Sequence, residues 1–321
     1  MVSWAGTQRP SALTAPSKSP AEILASSVGP IRIEWASGER HPNPSGEYWN
    51  VRDLGGLARP EPLGPPGAAW FNSERASGVE TASWLAWVGN TERTARIWGV
   101  DRATAIREAM PVVVPAVLRR EGLLDGHGAV IGPDRRRPHD GMFVTGLSGA
   151  GKSTLAVSCA VGGARFLGDD SVAIGPVGHR LHAWPRRKVF SISLPIRDAL
   201  LPGARGRQID DKIFLNARGT FGSRYAESLA IEAVVFLEVG SRDRSGSHPR
   251  SEARTLSAFE AYQRLLMAHP ILALDSGAKP CFPTMHRLAR LPAYSVAGGE
   301  DLLDPGTACA ILSELLPRID R

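Results

Sequence analysis

Apolar residues in the first third of the chain fall into short runs separated by turn-forming residues. Strand-like runs begin at Ile31, Thr81 and Thr94, with Gly- and Pro-rich stretches between them. The stretch RPEPLGPPGAA at 59–69 predicts a loop. Residues 29–122 therefore predict a small β-rich domain that ends in a helical linker.

The linker pattern begins at Asp101, a residue type that often precedes the first turn of a helix. The segment after it has helical spacing but contains Pro111 and Pro115. Because proline lacks a backbone N–H and its ring clashes with the preceding turn, the pattern predicts a helix in two pieces. Gly122 then closes the segment, and a domain boundary is expected near 120–126.

Beyond this boundary, strand-like and helix-like runs alternate, which is typical of an α/β layer structure. The strands are expected at AVIG (129–132), MFVTG (142–146), ARFLG (164–168), SVAIG (171–175), IFLNA (213–217) and IEAVVFLEV (231–239). The first two predict a hairpin, and a helix is expected at 152–161. Later helices begin after Ser257, which forms a capping-box pattern with Glu260, and after Asp304, which is followed by a proline. The interpretation is an α/β fold over 123–321, beside the smaller β-rich domain.

Composition changes this picture only at its edges. The chain has 321 residues, 43% hydrophobic and 22% charged, which is normal for a globular protein. Residues 1–28 are rich in Ser, Ala and Pro and predict a disordered lead-in. No apolar run reaches the roughly 18 to 20 residues that span a bilayer, so no membrane is expected as a partner. The three cysteines are far apart and lack metal-ligand spacing, which favours a cytoplasmic location.

The net charge of +6 suits an anionic partner, but it does not distinguish nucleotide, acidic peptide or nucleic acid. Nucleic acid ranks last because only charge supports it. Most of the basic residues are Arg and only five are Lys, so the position of Lys152 is more informative than the total charge.

The strongest local signal is GLSGAGKS, a complete GxxxxGKS motif between a predicted strand and a predicted helix. Glycines let the backbone turn tightly and bring its N–H groups to phosphate oxygens, and the helix N-terminus adds a positive dipole. The lysine reaches the β- and γ-phosphates and the following serine hydroxyl ligates Mg²⁺. The motif therefore predicts ATP and Mg²⁺ as cofactors. The expected nucleotide contacts are Gly146, Leu147, Ser148, Gly149, Ala150, Gly151, Lys152, Ser153 and Thr154.

An acidic pair, Asp169 and Asp170, follows about sixteen residues after the motif. A ten-residue helix is roughly 15 Å long, so a strand running back over that length returns the pair to the phosphate loop. We expect one carboxylate to hold the metal ion with Ser153 and the other to accept the proton of an attacking hydroxyl. Which carboxylate has which role stays open.

The segments GLSGAGKSTLA (146–156) and FLGDDSV (166–172), with His127-Gly128 upstream, resemble the catalytic domain of the HPr kinase/phosphorylase family. That family has a phosphoenolpyruvate-carboxykinase-like P-loop fold, and the resemblance covers about 120–318. It implies a P-loop kinase domain at 123–321 that transfers the γ-phosphate of ATP to a serine hydroxyl. It also implies catalytic roles for Lys152, Asp169, Asp170 and His127.

The chain departs from the family in three places. Asn216-Ala217-Arg218-Gly219 stands nearest to the family's Glu-x-Arg-Gly signature, Thr154 stands where Glu is usual, and the motif that contacts HPr has no counterpart. HPr is therefore not the expected acceptor. HPr kinases assemble into hexamers, and a homo-oligomer is one of the states that the sequence leaves open.

The resulting hypothesis is an ATP-dependent kinase whose acceptor is a serine of a protein or peptide. A small-molecule kinase of the same fold and a nucleotide-binding regulator without turnover are the alternatives. Further phosphate or acidic-peptide contacts are expected among the basic residues Arg135, Arg136, Arg137, Arg186, Arg187, Lys188, Lys212, Arg218 and Arg224, although each also fits a solvated loop.

Overall fold

The computed structural model describes residues 32–36, 47–50, 69–73, 76–90, 94–99, 101–133, 136–239, 251–269, 272, 275–298 and 300–316. Over this part of the chain the fold is mixed α/β, as predicted in outline. The predicted lead-in at 1–28 and almost all of the predicted loop at 59–69 lie outside the described residues.

The strands up to residue 99 form one sheet, which has six strands within the described residues in the order β1-β6-β5-β4-β3-β2. Strands β1 and β6 pair in parallel, and the other neighbouring pairs are antiparallel. The bounds are β1 Arg32–Ala36, β2 Glu47–Asn50, β3 Ala69–Asn72, β4 Ala76–Glu80, β5 Trp84–Gly89 and β6 Thr94–Gly99. The strand-rich character predicted for this region is therefore observed, while its status as a separate domain stays a prediction.

Helix α1, Arg102–Arg120, follows this sheet and runs without interruption past both prolines, so the prediction of two helical pieces is wrong. Asp101 caps it as predicted, accepting from the Thr104 N–H at 2.7 Å. Burial explains the continuity, because one face of α1 packs against the six-stranded sheet and this packing offsets the cost of the two missing N–H donors. The buried residues on that face are Ala105, Ala109, Val113, Ala116 and Val117.

Pro111→Ala should raise the free energy of unfolding by roughly 1 to 3 kcal/mol, because Pro111 is an exposed residue inside a continuous helix. Thermal and urea unfolding of the purified protein measure the effect. Pro305→Ala is the matched control, because that proline occupies the first turn of a helix, where proline is favourable. A gain for Pro305→Ala and none for Pro111→Ala would contradict the continuous helix.

The central sheet of the remaining chain contains nine strands within the described ranges, in the order β10-β8-β9-β16-β12-β11-β7, with β18 beside β16 and β17 beside β18. Its longest strand, β16, pairs in parallel with both β9 and β18. The bounds are β7 Leu124–His127, β8 Ala129–Gly132, β9 Asp140–Thr145, β10 Arg165–Gly168, β11 Ser171–Val177, β12 Arg180–Pro185, β16 Leu229–Val239, β17 Glu252–Leu256 and β18 Ala293–Gly298. A small antiparallel sheet is formed by β13 Val189–Ser193, β14 Arg207–Ile209 and β15 Lys212–Asn216.

Both faces of the central sheet are covered, which explains why the middle of β9 (142–144) and of β16 (233–237) is apolar without interruption rather than alternating. Met142 and Val144 face one core cluster, and Phe143 between them faces the other. The helices that follow α1 are α2 Lys152–Val161, α3 Leu194–Leu200, α4 Ala217–Phe221, α5 Ala258–Ala268, α6 Phe282–Ala289 and α7 Pro305–Leu315. Helices α2 and α7 contribute to the first cluster, and α5 and α6 to the second.

Several local sequence predictions are confirmed. The β8–β9 hairpin forms, and the helix predicted at 152–161 has those bounds. Ser257 and Glu260 make the reciprocal capping box at the start of α5. Asp304 caps α7 by accepting from the Thr307 N–H at 2.7 Å. These signals are local in the sequence, and at these positions tertiary packing favours the same structure as the local preferences.

A buried ionic cluster around Asp275 joins the six-stranded sheet, the end of α1 and the segment before α6. Its carboxylate lies 2.9 Å from Arg119 Nε and 3.1 Å from Arg120 Nη2, and it accepts from the Ser77 hydroxyl at 2.7 Å. Burial raises the pKa of Asp275, but the two guanidinium groups outweigh it and hold the pKa below its ordinary value. This cluster fixes the end of α1 against both β4 and the segment before α6. Within the part of the chain that the structure describes, no helix is both long and apolar enough to cross a bilayer.

Candidate functional site

The GxxxxGKS motif forms the connection between β9 and α2, in the strand-loop-helix setting that the sequence predicted. Gly146, Gly149 and Gly151 all have positive φ, at 147°, 80° and 92°. A Cβ at Gly146 would lie 2.3 Å from the Leu237 carbonyl oxygen of β16, so this position requires glycine. Leu147 at the tip of the loop is 70% exposed.

The loop leads directly into the first turn of α2. The residue before the helix, Gly151, has no side chain to cap it, and the first turn contains no acidic residue. An uncapped helix N-terminus presents N–H donors and a positive dipole, which together suit an anion. The Lys152 ammonium lies within the loop and donates to the carbonyl oxygens of Gly146 and Leu147, each at 2.9 Å.

Asp169 is the buried member of the acidic pair, with 4% of its surface exposed. It accepts from the Ser153 hydroxyl and, at 3.4 Å, from the Ser191 N–H. Burial raises its pKa to about 6, the negative charge of Asp170 adds to that shift, and the Ser153 hydrogen bond opposes it. The chain therefore returns to the phosphate loop where the sequence predicted, with Asp169 against the second residue of α2.

Asp170 is the exposed member of the pair and lies among cationic and polar groups. One carboxylate oxygen is 3.4 Å from His127 Nδ1 and the other is 3.7 Å from Arg187 Nη1. The Asp170 carbonyl accepts from the Gly128 N–H at 3.2 Å. The structure thus brings His127 and both carboxylates together, although their sequence positions are about forty residues apart.

The position of His127 is fixed by two residues that the sequence did not single out. The Thr145 hydroxyl, immediately before the phosphate loop, donates to the His127 carbonyl at 2.9 Å. His269 is buried and accepts the His127 N–H at Nε2, 3.3 Å away, while its Nδ1 lies 2.8 Å from the Leu265 carbonyl. Burial lowers the pKa of His269, and these partners require the neutral Nδ1–H tautomer. His269 lies 142 residues from His127, so no local pattern could have revealed this contact.

The structure separates the candidate basic residues. Arg187 lies beside Asp170, whereas Arg186 pairs with Asp125 and donates to the Ser171 hydroxyl at 2.7 Å. Arg224 donates to the Ala160 carbonyl near the far end of α2, at 2.8 Å. Arg187 is therefore the arginine of these that contacts the acidic pair.

Of the remaining basic candidates, Arg135 lies outside the described residues, and Arg137 and Arg218 belong to other ion pairs. Arg137 pairs with Asp140 at 2.7 Å, at the end of β9 opposite to the phosphate loop and about 17 Å from it along the strand. Arg218 pairs with Glu227. Lys212 is exposed on β15, on the same strand face as Phe214, which lines a small cavity with the acidic pair. Asn216 accepts from the Gly219 N–H at 2.8 Å and so caps α4.

The described residues contain no group of three or more His, Cys, Asp or Glu side chains that would hold a metal ion by themselves. Ser153, Asp169 and Asp170 nevertheless offer only oxygen atoms, the donors that Mg²⁺ prefers. Mg²⁺ commonly takes one or two carboxylates and completes its octahedron with phosphate oxygens and water. The donor set therefore fits magnesium bound together with a nucleotide.

Comparison with solved structures finds the HPr(Ser) kinase/phosphatase from Coxiella burnetii, at 11% sequence identity and a TM-score of 0.35. The match covers 59% of this chain and 88% of that chain. A TM-score this low does not establish a common fold, so the assignment of function depends on the site itself. No protein-family model and no curated protein sequence matches the chain.

Proposed function

We propose that the protein is an ATP-dependent kinase that transfers the γ-phosphate to a hydroxyl, and that the acceptor is a serine of a protein or peptide. The observation that carries the proposal is the contact between Ser153 and the buried Asp169, beside a GxxxxGKS loop and an uncapped helix N-terminus. A hydroxyl and a carboxylate beside such a loop suit Mg²⁺ that is bound together with nucleotide phosphates.

The phosphate loop supplies the ATP contacts in this proposal. The glycines at 146, 149 and 151 and the N–H groups that open α2 surround the phosphates, and the Lys152 ammonium neutralises their charge. In the nucleotide-free arrangement that ammonium donates to two loop carbonyls. Binding therefore exchanges these neutral acceptors for anionic ones, which form stronger hydrogen bonds.

Ser153 and the acidic pair would hold Mg²⁺. The bound ion would supply positive charge that stabilises the negative charge developing during transfer. Asp169 is the carboxylate that we assign to the metal side, because it contacts Ser153 and is buried. A neighbouring cation would also favour its ionised form over the protonated form that burial favours.

Asp170 is the carboxylate that we assign to the acceptor. It is exposed, and it lies near His127 on one side and Arg187 on the other. From this position it would accept the proton of the attacking hydroxyl, while Arg187 stabilises charge on the transferred phosphoryl group. We place the protein in the cytoplasm, where the thiols of Cys159, Cys281 and Cys309 would stay reduced.

The test uses γ-labelled ATP, Mg²⁺ and a size-fractionated lysate of the source cells. Wild-type protein should move label into a peptide or protein fraction, and Lys152→Ala should reduce transfer by about a hundredfold or more, because a charged phosphate contact is lost. Lys279→Ala, which changes an exposed lysine away from the loop, is the control and should transfer normally.

The fractions separate the alternatives. Label in the small-molecule fraction would show that the acceptor is a metabolite and not a serine of a protein or peptide. Bound ATP that stays intact with every fraction would favour a nucleotide-binding regulator. Equal transfer by wild type and Lys152→Ala would contradict the assigned phosphate site.

A further inference from the structure

A groove of about 740 Å³ lies beside the acidic pair, between α1 and the segment that connects β12 to β13. Its volume is within the range of ligand sites in proteins, roughly 300 to 1,000 Å³. The proposed phosphate chemistry at Ser153 and Asp169 does not use it. The groove is therefore separate from the proposed phosphate site.

One wall of the groove is a second apolar face of α1. Met110, Pro111, Val114 and Leu118 line it at helical spacing, on the side of α1 that does not pack against the six-stranded sheet. Pro111 is exposed and Met110 and Val114 are half-buried, so the wall presents apolar surface to solvent. Such a surface favours an occupant with apolar side chains.

The opposite wall and the rim are strongly basic. Arg186, Arg187 and Lys188 line the groove on one side and Arg107 on the other, against a single carboxylate, Glu227. That carboxylate already pairs with Arg218. The excess of positive charge complements an occupant that carries carboxylates.

Two buried nitrogen donors at the groove have no hydrogen-bond partner within the described residues. They are Trp184 Nε1 and Arg186 Nε, and both side chains line the groove. Buried donors without an acceptor are costly, and they are frequent where a ligand or water completes the structure. The wall of the groove therefore contains hydrogen-bond donors that the described residues leave unused.

Arg187 connects the groove to the acidic pair. It lines both the groove and the small cavity that contains Asp169 and Asp170, and its guanidinium lies 3.7 Å from Asp170. A chain that lies in the groove and continues past Arg187 therefore brings its next residue to the exposed carboxylate.

We infer that this groove binds the segment of the peptide substrate next to the acceptor serine, and that this segment carries acidic and apolar side chains. The inference rests on the proposed kinase function. In it, Arg107 and Lys188 pair with the substrate's carboxylates, and the second face of α1 receives its apolar side chains. The N-terminal part of the chain, through α1, thus selects the substrate.

The probe is a short fluorescein-labelled peptide with a central serine flanked by glutamates and leucine, and a second peptide has lysines in place of the glutamates. Fluorescence anisotropy measures the binding of each to the full-length protein. Wild type should bind the acidic peptide about tenfold more tightly or better, because the charge-assisted contacts form only with carboxylates.

Charge reversal on each wall provides the discriminating variants. Arg107→Glu and Lys188→Glu should each weaken the acidic peptide by about tenfold and improve the lysine peptide. Arg102→Glu is the matched control, because Arg102 is exposed on the same helix but does not line the groove, and it should leave both affinities unchanged. Equal affinity of wild type for the two peptides, or equal effects of Arg102→Glu and Arg107→Glu, would overturn the inference.

Binding of a fluorescent ATP analogue to the same preparations separates this inference from the proposed function. ATP binding and turnover without any charge preference among peptides would overturn the groove assignment and leave the kinase intact. Selective binding of the acidic peptide without ATP binding would support the groove and contradict the kinase. Transfer of label to a metabolite in place of a peptide would overturn the peptide occupant.

Discussion

Asp169→Asn should abolish phosphate transfer and, at neutral pH, make the protein more stable. The loss of transfer, at least about a hundredfold, follows from removing the carboxylate that we assign to the metal side of the site. The gain in stability follows from removing a buried negative charge, since Asp169 is 4% exposed and burial raises its pKa to about 6.

The pH dependence has a definite sign. The ordinary pKa is 3.8 and the folded-state pKa is about 6, so between these values the folded protein holds more protons than the unfolded chain. Wild-type stability therefore falls as pH rises from about 4 to about 6, by roughly 2 to 3 kcal/mol in total. Asparagine does not titrate, so Asp169→Asn should be more stable than wild type by about that amount at pH 7 and gain little at pH 4.

Urea unfolding at both pH values measures the difference, and Asp170→Asn is the matched control. Asp170 is exposed, so its substitution should change the free energy of unfolding by less than about 0.5 kcal/mol. If Asp169→Asn destabilised the protein at neutral pH, the carboxylate would be required for the fold. That result would contradict the view that Asp169 stays ionised for function at a cost in stability.

The parts of the site that the sequence could predict are those that a local pattern defines. The phosphate loop and helix α2 depend on eight consecutive residues and an apolar run, and both appear at the predicted positions. The return of Asp169 to this loop also followed from local geometry, because helix α2 and strand β10 have comparable lengths. The catalytic and metal roles of these residues stay predictions.

The parts that the sequence could not predict depend on long-range packing. His269 reaches His127 because α5 packs on the sheet that contains β7, and no spacing in the sequence encodes this contact. Among the arginines, composition could not distinguish Arg187 from Arg224, since only the folded chain shows that one lies beside Asp170 and the other holds carbonyls at the end of α2.

Helix α1 shows how packing overrides a local rule. Proline disfavours a helix interior by about 3 kcal/mol, and on this basis the sequence predicted two pieces. Five buried residues of one face against the six-stranded sheet outweigh that cost. The same continuity gives α1 a second apolar face from Met110 to Leu118, and this face is a wall of the groove beside the acidic pair. The continuous helix and the groove therefore have one origin, the packing of α1 between two layers.

Asp170→Asn should reduce phosphate transfer by about a hundredfold to ten-thousandfold while leaving ATP binding within about twofold of wild type. An amide keeps the size of the carboxylate but cannot accept the hydroxyl proton. The Asp170 side chain lies beside His127 and Arg187, whereas Asp169 is the carboxylate that contacts Ser153 of the phosphate loop. Steady-state kinetics should therefore show the loss in kcat. His127→Ala should cost less, about tenfold, because His127 positions Asp170 at 3.4 Å without taking the proton itself.

Asp211→Asn is the matched control, because Asp211 is an exposed aspartate at the turn between β14 and β15 and does not line the acidic-pair cavity. It should transfer phosphate at the wild-type rate. Normal kcat in Asp170→Asn would exclude Asp170 as the base and leave Asp169 as the candidate. Loss of ATP binding in Asp170→Asn would instead assign Asp170 to the metal ion. Comparing Asp169→Asn with Asp170→Asn therefore assigns the two roles. Loss of the catalytic base lowers kcat alone. Loss of the carboxylate that binds the metal ion also weakens nucleotide binding, and it changes the pH dependence of stability.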